Sequence, residues 1–382
     1  MCRIHSKRFL FIWVLFLTAA CSVSAQYSFK LKYAASSVYA GIEVGSKGVK
    51  MSVVEIDKNA QNSGGFNGLK DTTINTDFIN FSQPSFRATV NALYGLYASA
   101  IRDYNILPKN IFTVISSGVK IQADKENKSS WINNLVDSFK LKIKDNERRI
   151  AVIDVLQEAR LSHLGIVPEA KRYTTFLIDI GSGNTKGGYF PLGNTKDFKL
   201  FQLSWGTKSM ANATEKRCDD DKSLANFNKQ LYRVAYEAEN SEIIYAVNES
   251  GSYPKSDIVA FSGGIAWSVA NLLHPEQINN SVVPVTYNEV VKFSEKLYGD
   301  FSSLSDVVLS KNIKDKNIDK AAVAKEVKKV QLVFDQRALM AGTSLLLKVM
   351  RQFETANDKK EFFLVKNGQV GWISAYVDQN TK

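Results

Sequence analysis

The sequence predicts an α/β protein built from two related halves, and three observations carry that prediction. Strand-like apolar runs alternate with helical patterns along most of the chain. A strand–acid–glycine-turn–strand unit occurs twice, at Gly41–Gly48 and Leu177–Thr185. A third apolar strand, Asp257–Ser262, runs into Gly263-Gly264 and opens a helix. The length of 382 residues, with 45% hydrophobic and 23% charged, excludes disordered and collagen-like chains and provides for about two domains. Three cysteines and three histidines exclude a disulfide scaffold and a His/Cys-rich metal centre.

At the start, Arg3, Lys7 and Arg8 precede an apolar run, Phe9–Ala20, too short to span a bilayer. Residues 1–25 therefore read as a signal peptide, and the protein as exported, periplasmic or lipid-anchored in a bacterial envelope. Two processing sites remain open. Val23-Ser24-Ala25 suits ordinary signal peptidase; Thr18-Ala19-Ala20-Cys21 resembles a lipobox, and a lipid on Cys21 would be the only membrane attachment. Without the leader the net charge falls by three, from +11 to +8. That excess favours a polyanionic partner.

The remaining elements follow from local pattern. Tyr39–Val44 and Lys50–Ile56 form a hairpin about Gly45-Ser46-Lys47-Gly48, and residues 57–70 read as a polar loop. Ser85–Asp103 is a helix, Ile111–Ile115 a strand after Pro108, then come a polar helix and the basic run Lys140–Arg149, a solvated face. Ile150–Val155 is a strand and Gln157–Leu164 begins a helix. Tyr173–Ile180, Lys186–Phe190 and Lys199–Ser204 are strands, followed by helix to about Val247. Thr286 to Glu289 is a capping box, and Ala338–Phe353 an apolar helix. Phe362–Lys366 and Gln369–Val377 read as a hairpin about Asn367-Gly368.

The repeated unit carries the chemistry. Gly45, Ser46 and Lys47 in one loop, and Gly181, Ser182, Gly183, Asn184 and Thr185 in the other, can turn successive N–H groups onto a phosphate. Glu43 and Asp179, 136 residues apart, end the two first strands, where a carboxylate can hold a hydrated cation or a water. Gly263 and Gly264 form a third turn suited to a nucleotide-type anion. His163 and Cys218 lack the partners that catalysis would require, and are read as structural.

These residues resemble a family. Two glycine-rich hairpins and a late strand–Gly-Gly–helix follow the sugar kinase/Hsp70/actin superfamily, and their order is most similar to the Ppx/GppA exopolyphosphatase and guanosine pentaphosphate phosphatase group. Val114–Lys120 resembles its Ala-Thr-Ser-Ala-x-Arg strand end, and Gln157–Gly165 its Glu-Glu-Ala-Arg-Leu helix. Leu203–Thr207 resembles its Leu-Pro-x-Gly segment, and Ala341–Leu346 its late Ala-Gly helix. The resemblance implies two actin-like (ribonuclease H-like) domains with an interdomain cleft. Domain I would span residues 26–170, completed by the C-terminal helix and hairpin, and domain II residues 171–382. It implies release of terminal phosphate from polyphosphate or a phosphorylated small molecule, with Mg²⁺ as cofactor and a carboxylate activating water. Carried onto this sequence, the catalytic set is Glu158, Gln157, Glu43 and Asp179, with metal at Glu43 and Asp179. Ser117 and Lys186 join the two loops in binding phosphate.

Three positions depart from the family pattern. Glu43 stands in place of Asp, Gln157 in place of the first Glu of the helix pair, and Lys186 in place of a Glu. Gln157 cannot accept a proton. The site thus exchanges carboxylates for ammonium groups, which favours phosphate and disfavours Mg²⁺. Two other functions use the same residues: a catalytically degenerate binding protein for a phosphorylated or polyanionic ligand, and an actin-like or sugar-kinase-like ATPase. Export argues against nucleic acid as partner, and a homodimer is admitted as the assembly.

Overall fold

The computed structural model describes residues 29–58, 66–251, 256–354, 360–366 and 368–381, so the leader expected at residues 1–25, with Cys21, lies outside the described residues. Strands β1 (Ser36–Val44) and β2 (Gly48–Asp57) form the first hairpin, with Glu43 opposite Lys50. β3 (Phe66–Asn75) adds antiparallel to β2, where a loop is expected from the sequence. Its polar, mostly exposed side chains explain the difference: an edge strand is held by backbone hydrogen bonds and shows little apolar alternation. Helix α1 (Gln83–Arg102) starts with Pro in its first turn and a capping box at Ser82. It leads to β4 (Ile111–Ile115), which runs parallel to β1. Helices α2 (Ser117–Lys125) and α3 (Ser129–Ile143) follow, then β5 (Ile150–Val152), parallel to β4. The first sheet has the order β3-β2-β1-β4-β5.

The basic run after α3 is not wholly solvated. Arg148 packs over the Tyr97 ring, donates to the Tyr97 hydroxyl and to the carbonyls of Pro108 and Ile111, and pairs with Asp145. Its stem and charge together seal that end of the sheet.

Helix α4 (Val155–Ile166) carries the chain to the second sheet. There β6 (Thr175–Ile180), β7 (Thr185–Tyr189) and β8 (Lys199–Leu203) repeat the antiparallel ladder, with Asp179 opposite Lys186. Helices α5 (Thr207–Arg217), α6 (Leu224–Ala238) and α7 (Ile244–Ser250) precede β9 (Ile258–Ser262), parallel to β6. Next come α8 (Gly264–Leu273), β10 (Val282–Val285) and α9 (Tyr287–Gly299), whose capping box at Thr286 is as the sequence predicts. Helices α10 (Asp306–Asn312), α11 (Lys320–Val333) and α12 (Gln336–Glu354) lead to β11 (Glu361–Val365). The second sheet has the order β10-β11-β9-β6-β7-β8. Read from β8, it repeats the first: an antiparallel ladder of three, then two parallel strands, with β10 added at the edge.

The expected C-terminal hairpin does not form. Asn367 lies outside the described residues, and Gly368–Asn380 is helix α13. The Asn-Gly signal is overridden because β11 already has β9 and β10 on its two sides and offers no edge to a returning strand. Residues 371–378 are buried in succession, the pattern of a helix enclosed on all sides. α13 packs on α4 and on β1 and β2. α4 in turn packs on β7 of the other sheet. The two helices cross at two glycines: a Cβ on Gly165 would overlap the Gly371 carbonyl. Each half thus contributes a helix to the seam between them, and Val114, Leu161, Trp372, Ile373 and Tyr376 form the apolar cluster there. Among the described residues no helix is long and apolar enough to cross a membrane.

Candidate active site

The two hairpin turns are the same structure built twice. In each, the first glycine N–H closes the loop onto the carbonyl three residues on: Gly45 to Gly48 at 2.9 Å, and Gly181 to Asn184 at 3.0 Å. The carbonyls of the first loop are tied back, Lys47 O accepting from the Thr76 and Asp77 amides. Those of the second accept from the start of α5: Thr207 N donates to Gly181 O, and Lys208 N and Ser209 N to Ser182 O. Among the described residues, the amides of Ser46, Lys47, Ser182 and Gly183 have no acceptor. Loops with carbonyls anchored and N–H groups unused are anion nests. Gly206 is required here, since a Cβ on it would overlap the Gly181 carbonyl and the Asn184 amide. Lys47 Nζ lies 3.1 Å from Asp77 in a half-exposed pair, which orients it at the first loop.

Between the hairpins lies a buried charge cluster. Glu158, on the first turn of α4 and 3% exposed, accepts from the Ser117 amide with Oε2 (2.8 Å) and from Lys186 Nζ with Oε1 (2.8 Å). Lys186, 6% exposed, also lies 3.5 Å from Asp179. Asp179 accepts from the Ser262 hydroxyl at 2.9 Å. Gly263 follows at φ +94°, and a Cβ there would overlap the Ile180 carbonyl and lie 3.0 Å from Asp179 Oδ1. Gly264 opens α8 and packs beside Phe334. Glu43 is half-buried and curls back over its own loop, so that a Cβ on Gly45 would lie 3.3 Å from its Oε1. Ser46 reaches the start of α2, where a Cβ on Gly118 would lie 3.2 Å from its hydroxyl.

The carboxylates have different electrostatics. Burial pushes the Glu158 carboxyl up, but Lys186 and the Ser117 donor outweigh it, and the net direction is down. Burial pushes the Lys186 ammonium down, yet Glu158 and Asp179 outweigh it and hold the proton on. Glu43 goes the other way: burial raises its carboxyl, and Glu158 and Asp179 add to the rise, against Lys50 and Lys186. Of the two, Glu43 is therefore the better proton acceptor and Glu158 the weaker.

Residues of the two hairpins and of the helices between them thus meet in one place: Glu43, Ser117, Glu158, Asp179 and Lys186, with both loops. Gln157 is set differently. Its side chain is exposed, and its backbone N–H takes the helix cap from Asp154. Lys50 is a partner that sequence reasoning placed only beside the loop; its position opposite Glu43 repeats that of Lys186 opposite Asp179. The same seven-residue spacing in both hairpins was the available signal. His163 is fully buried, with Nε2 on the Thr175 carbonyl, and burial pushes its imidazole down to about 4.

As arranged, these residues do not fit a resident Mg²⁺. An ammonium group sits between Glu158 and Asp179, where a bridging cation would need oxygen ligands at about 2.1 Å. Among the described residues no group of three or more acidic, His or Cys side chains is placed to hold a metal.

No protein-family model matches this sequence, and no curated protein is detectably similar to it. Solved structures are similar in fold. The Aquifex aeolicus Ppx/GppA phosphatase, in its type II variant, superposes with a TM-score of 0.57 at 14% identity, covering 90% of this chain and 99% of that one. An exopolyphosphatase from Cytophaga hutchinsonii superposes at 0.53 with 11% identity, covering 90% and 98%. The chain has the Ppx/GppA phosphatase fold. An exopolyphosphatase-like protein, at 0.56 and 13%, has it too. Within the Ppx/GppA fold, the two loops and the charge cluster of this chain lie where its two halves face each other.

Proposed function

We propose that the protein is an exported phosphohydrolase that releases terminal phosphate from polyphosphate or a similar phosphoanhydride. The unused amides of the two facing loops support this reading most directly. They would hold successive phosphates, and Lys47 would balance their charge. Water placed at Glu43 would give up a proton to that carboxylate and attack the terminal phosphorus in line. The anhydride P–O bond breaks, and the shortened chain leaves with the electron pair. Lys186 holds Glu158 and Asp179 in place and keeps the buried charge near balance without a resident metal.

The test is phosphate release from polyphosphate by purified protein, in EDTA and in Mg²⁺, with a Glu43→Gln variant alongside. Release in EDTA that falls by about 100-fold or more in the variant is expected for a lost general base. No release in either condition removes the hydrolytic reading.

A second reading has an observation of its own. Both oxygens of Glu158 are occupied, by Lys186 and by Ser117, which suits a binding protein that has lost its base. It is distinguished by tripolyphosphate binding in EDTA that Lys47→Ala weakens, with no turnover. Gain of turnover in Gln157→Glu would assign the vacant base to that position.

A further inference from the structure

A second cavity, of about 240 Å³, lies apart from the loops and the charge cluster. It is walled by Phe66 at the start of β3, Arg160 on α4, Arg172 before β6, Thr195 between β7 and β8, and Ala375 and Asp378 on α13. It is therefore shared by both halves of the molecule. Arg172 is 7% exposed, and its Nε is buried with no acceptor among the described residues. Arg160 directs Nε and Nη2 onto the Thr195 carbonyl, at 3.3 and 3.0 Å, which fixes its guanidinium at the cavity wall. Asp378 is buried in the same wall, but no carboxylate among the described residues comes within 4.0 Å of either guanidinium.

A buried guanidinium with an unused donor is strongly unfavourable unless something completes it. With Arg160 held at the same cavity by the Thr195 carbonyl, the two guanidinium groups make a fork suited to an oxyanion. The volume is below that of pockets for drug-sized ligands, which begin near about 300 Å³, and suits a compact molecule. Asp378 would accept from a hydroxyl of that molecule. We infer that this cavity is a second anion site, taking a small phosphate-bearing molecule across the seam between the halves. It is independent of the chemistry proposed for the cleft.

Inorganic phosphate and glycerol phosphate are titrated calorimetrically into the full chain, with citrate as the carboxylate arm. Two classes of phosphate site are expected. Arg172→Gln should weaken one class at least tenfold. So should Ala375→Leu, which fills the cavity and leaves both charges in place. Lys47→Ala should weaken only the other class, at the cleft. If the cleft binds no phosphate, one class remains and must still be lost in Arg172→Gln and Ala375→Leu. Should Arg172→Gln fail to fold, Arg160→Gln, at a partly exposed position, takes its place. Phosphate binding untouched by the cavity variants overturns the inference, as does binding of citrate without either phosphate.

Discussion

Lys186 is the residue on which the site turns. Its ammonium group stands between two carboxylates, one on α4 and one on β6, and it is almost wholly buried. Removing one member of a buried pair leaves an uncompensated charge, which costs about 3–5 kcal/mol. Lys186→Gln should therefore lose stability of that order in urea denaturation. It should also gain a thermal response to millimolar Mg²⁺ that the parent lacks, because the space between Glu158 and Asp179 is then open to a cation. The pH dependence follows from the directions of shift. Glu158 is held below its ordinary 4.5, so its contribution is full above 4.5 and is lost as pH falls through the folded value. Lys186 is held above its ordinary 10.5, so its contribution is full below 10.5 and is lost as pH rises further. Without Lys186, burial raises the Glu158 carboxyl of the variant above 4.5, so the stability difference between parent and Lys186→Gln should be greatest between that raised value and 10.5 and shrink outside those limits. The residue types were legible in the sequence, but their pairing was not: Glu158 and Lys186 are 28 positions apart, and nothing local says that they touch.

At the scale of elements, two buried features decide stability. Glu55 on β2 is fully buried and gathers four donors: the amides of Lys32 and Tyr33, the Ser36 hydroxyl and the Asn67 side chain. Burial alone would raise its carboxyl, but these donors outweigh it and bring it down to about 2. Its stabilisation is full above the ordinary 4.5 and is lost as pH falls from there to about 2. Glu55→Gln should flatten the melting temperature over that interval and lower it at neutral pH. The second feature is the α4–α13 crossing. Gly165→Ala places a methyl group against the Gly371 backbone, which cannot move aside as a side chain can, so a loss of about 1–3 kcal/mol is expected from thermal melting. Gly41→Ala meets side chains, those of Ile373 and Val377, rather than backbone and should cost less. The elements that periodicity marked, such as α1, β4, β9 and α12, formed as read. β3 was missed because an exposed edge strand has little apolar pattern. α13 was read as the second strand of a hairpin on the Asn367-Gly368 turn signal, and enclosure on every side made it a helix.

At the scale of the molecule, the halves repeat one topology, exchange helices across the seam and meet at two anion loops. Tripolyphosphate bound between the loops should draw the halves together, and a smaller radius of gyration in solution scattering with ligand than without is the expected outcome. An unchanged radius would place the anion on one loop alone.

The sequence by itself determined the α/β class, the repeat, and the two glycine turns with their acids, because each of these depends on residues close together in the chain. Only the tertiary structure decided the rest. It set the Lys186 ammonium between Glu158 and Asp179, occupied both oxygens of Glu158, and raised Glu43 as a proton acceptor relative to Glu158. It also converted a hairpin signal into a buried helix and left Arg172 facing a cavity. The physical reason is common to all of these: desolvation and charge pairing depend on which distant groups share a low-dielectric space, and that is a property of the folded chain.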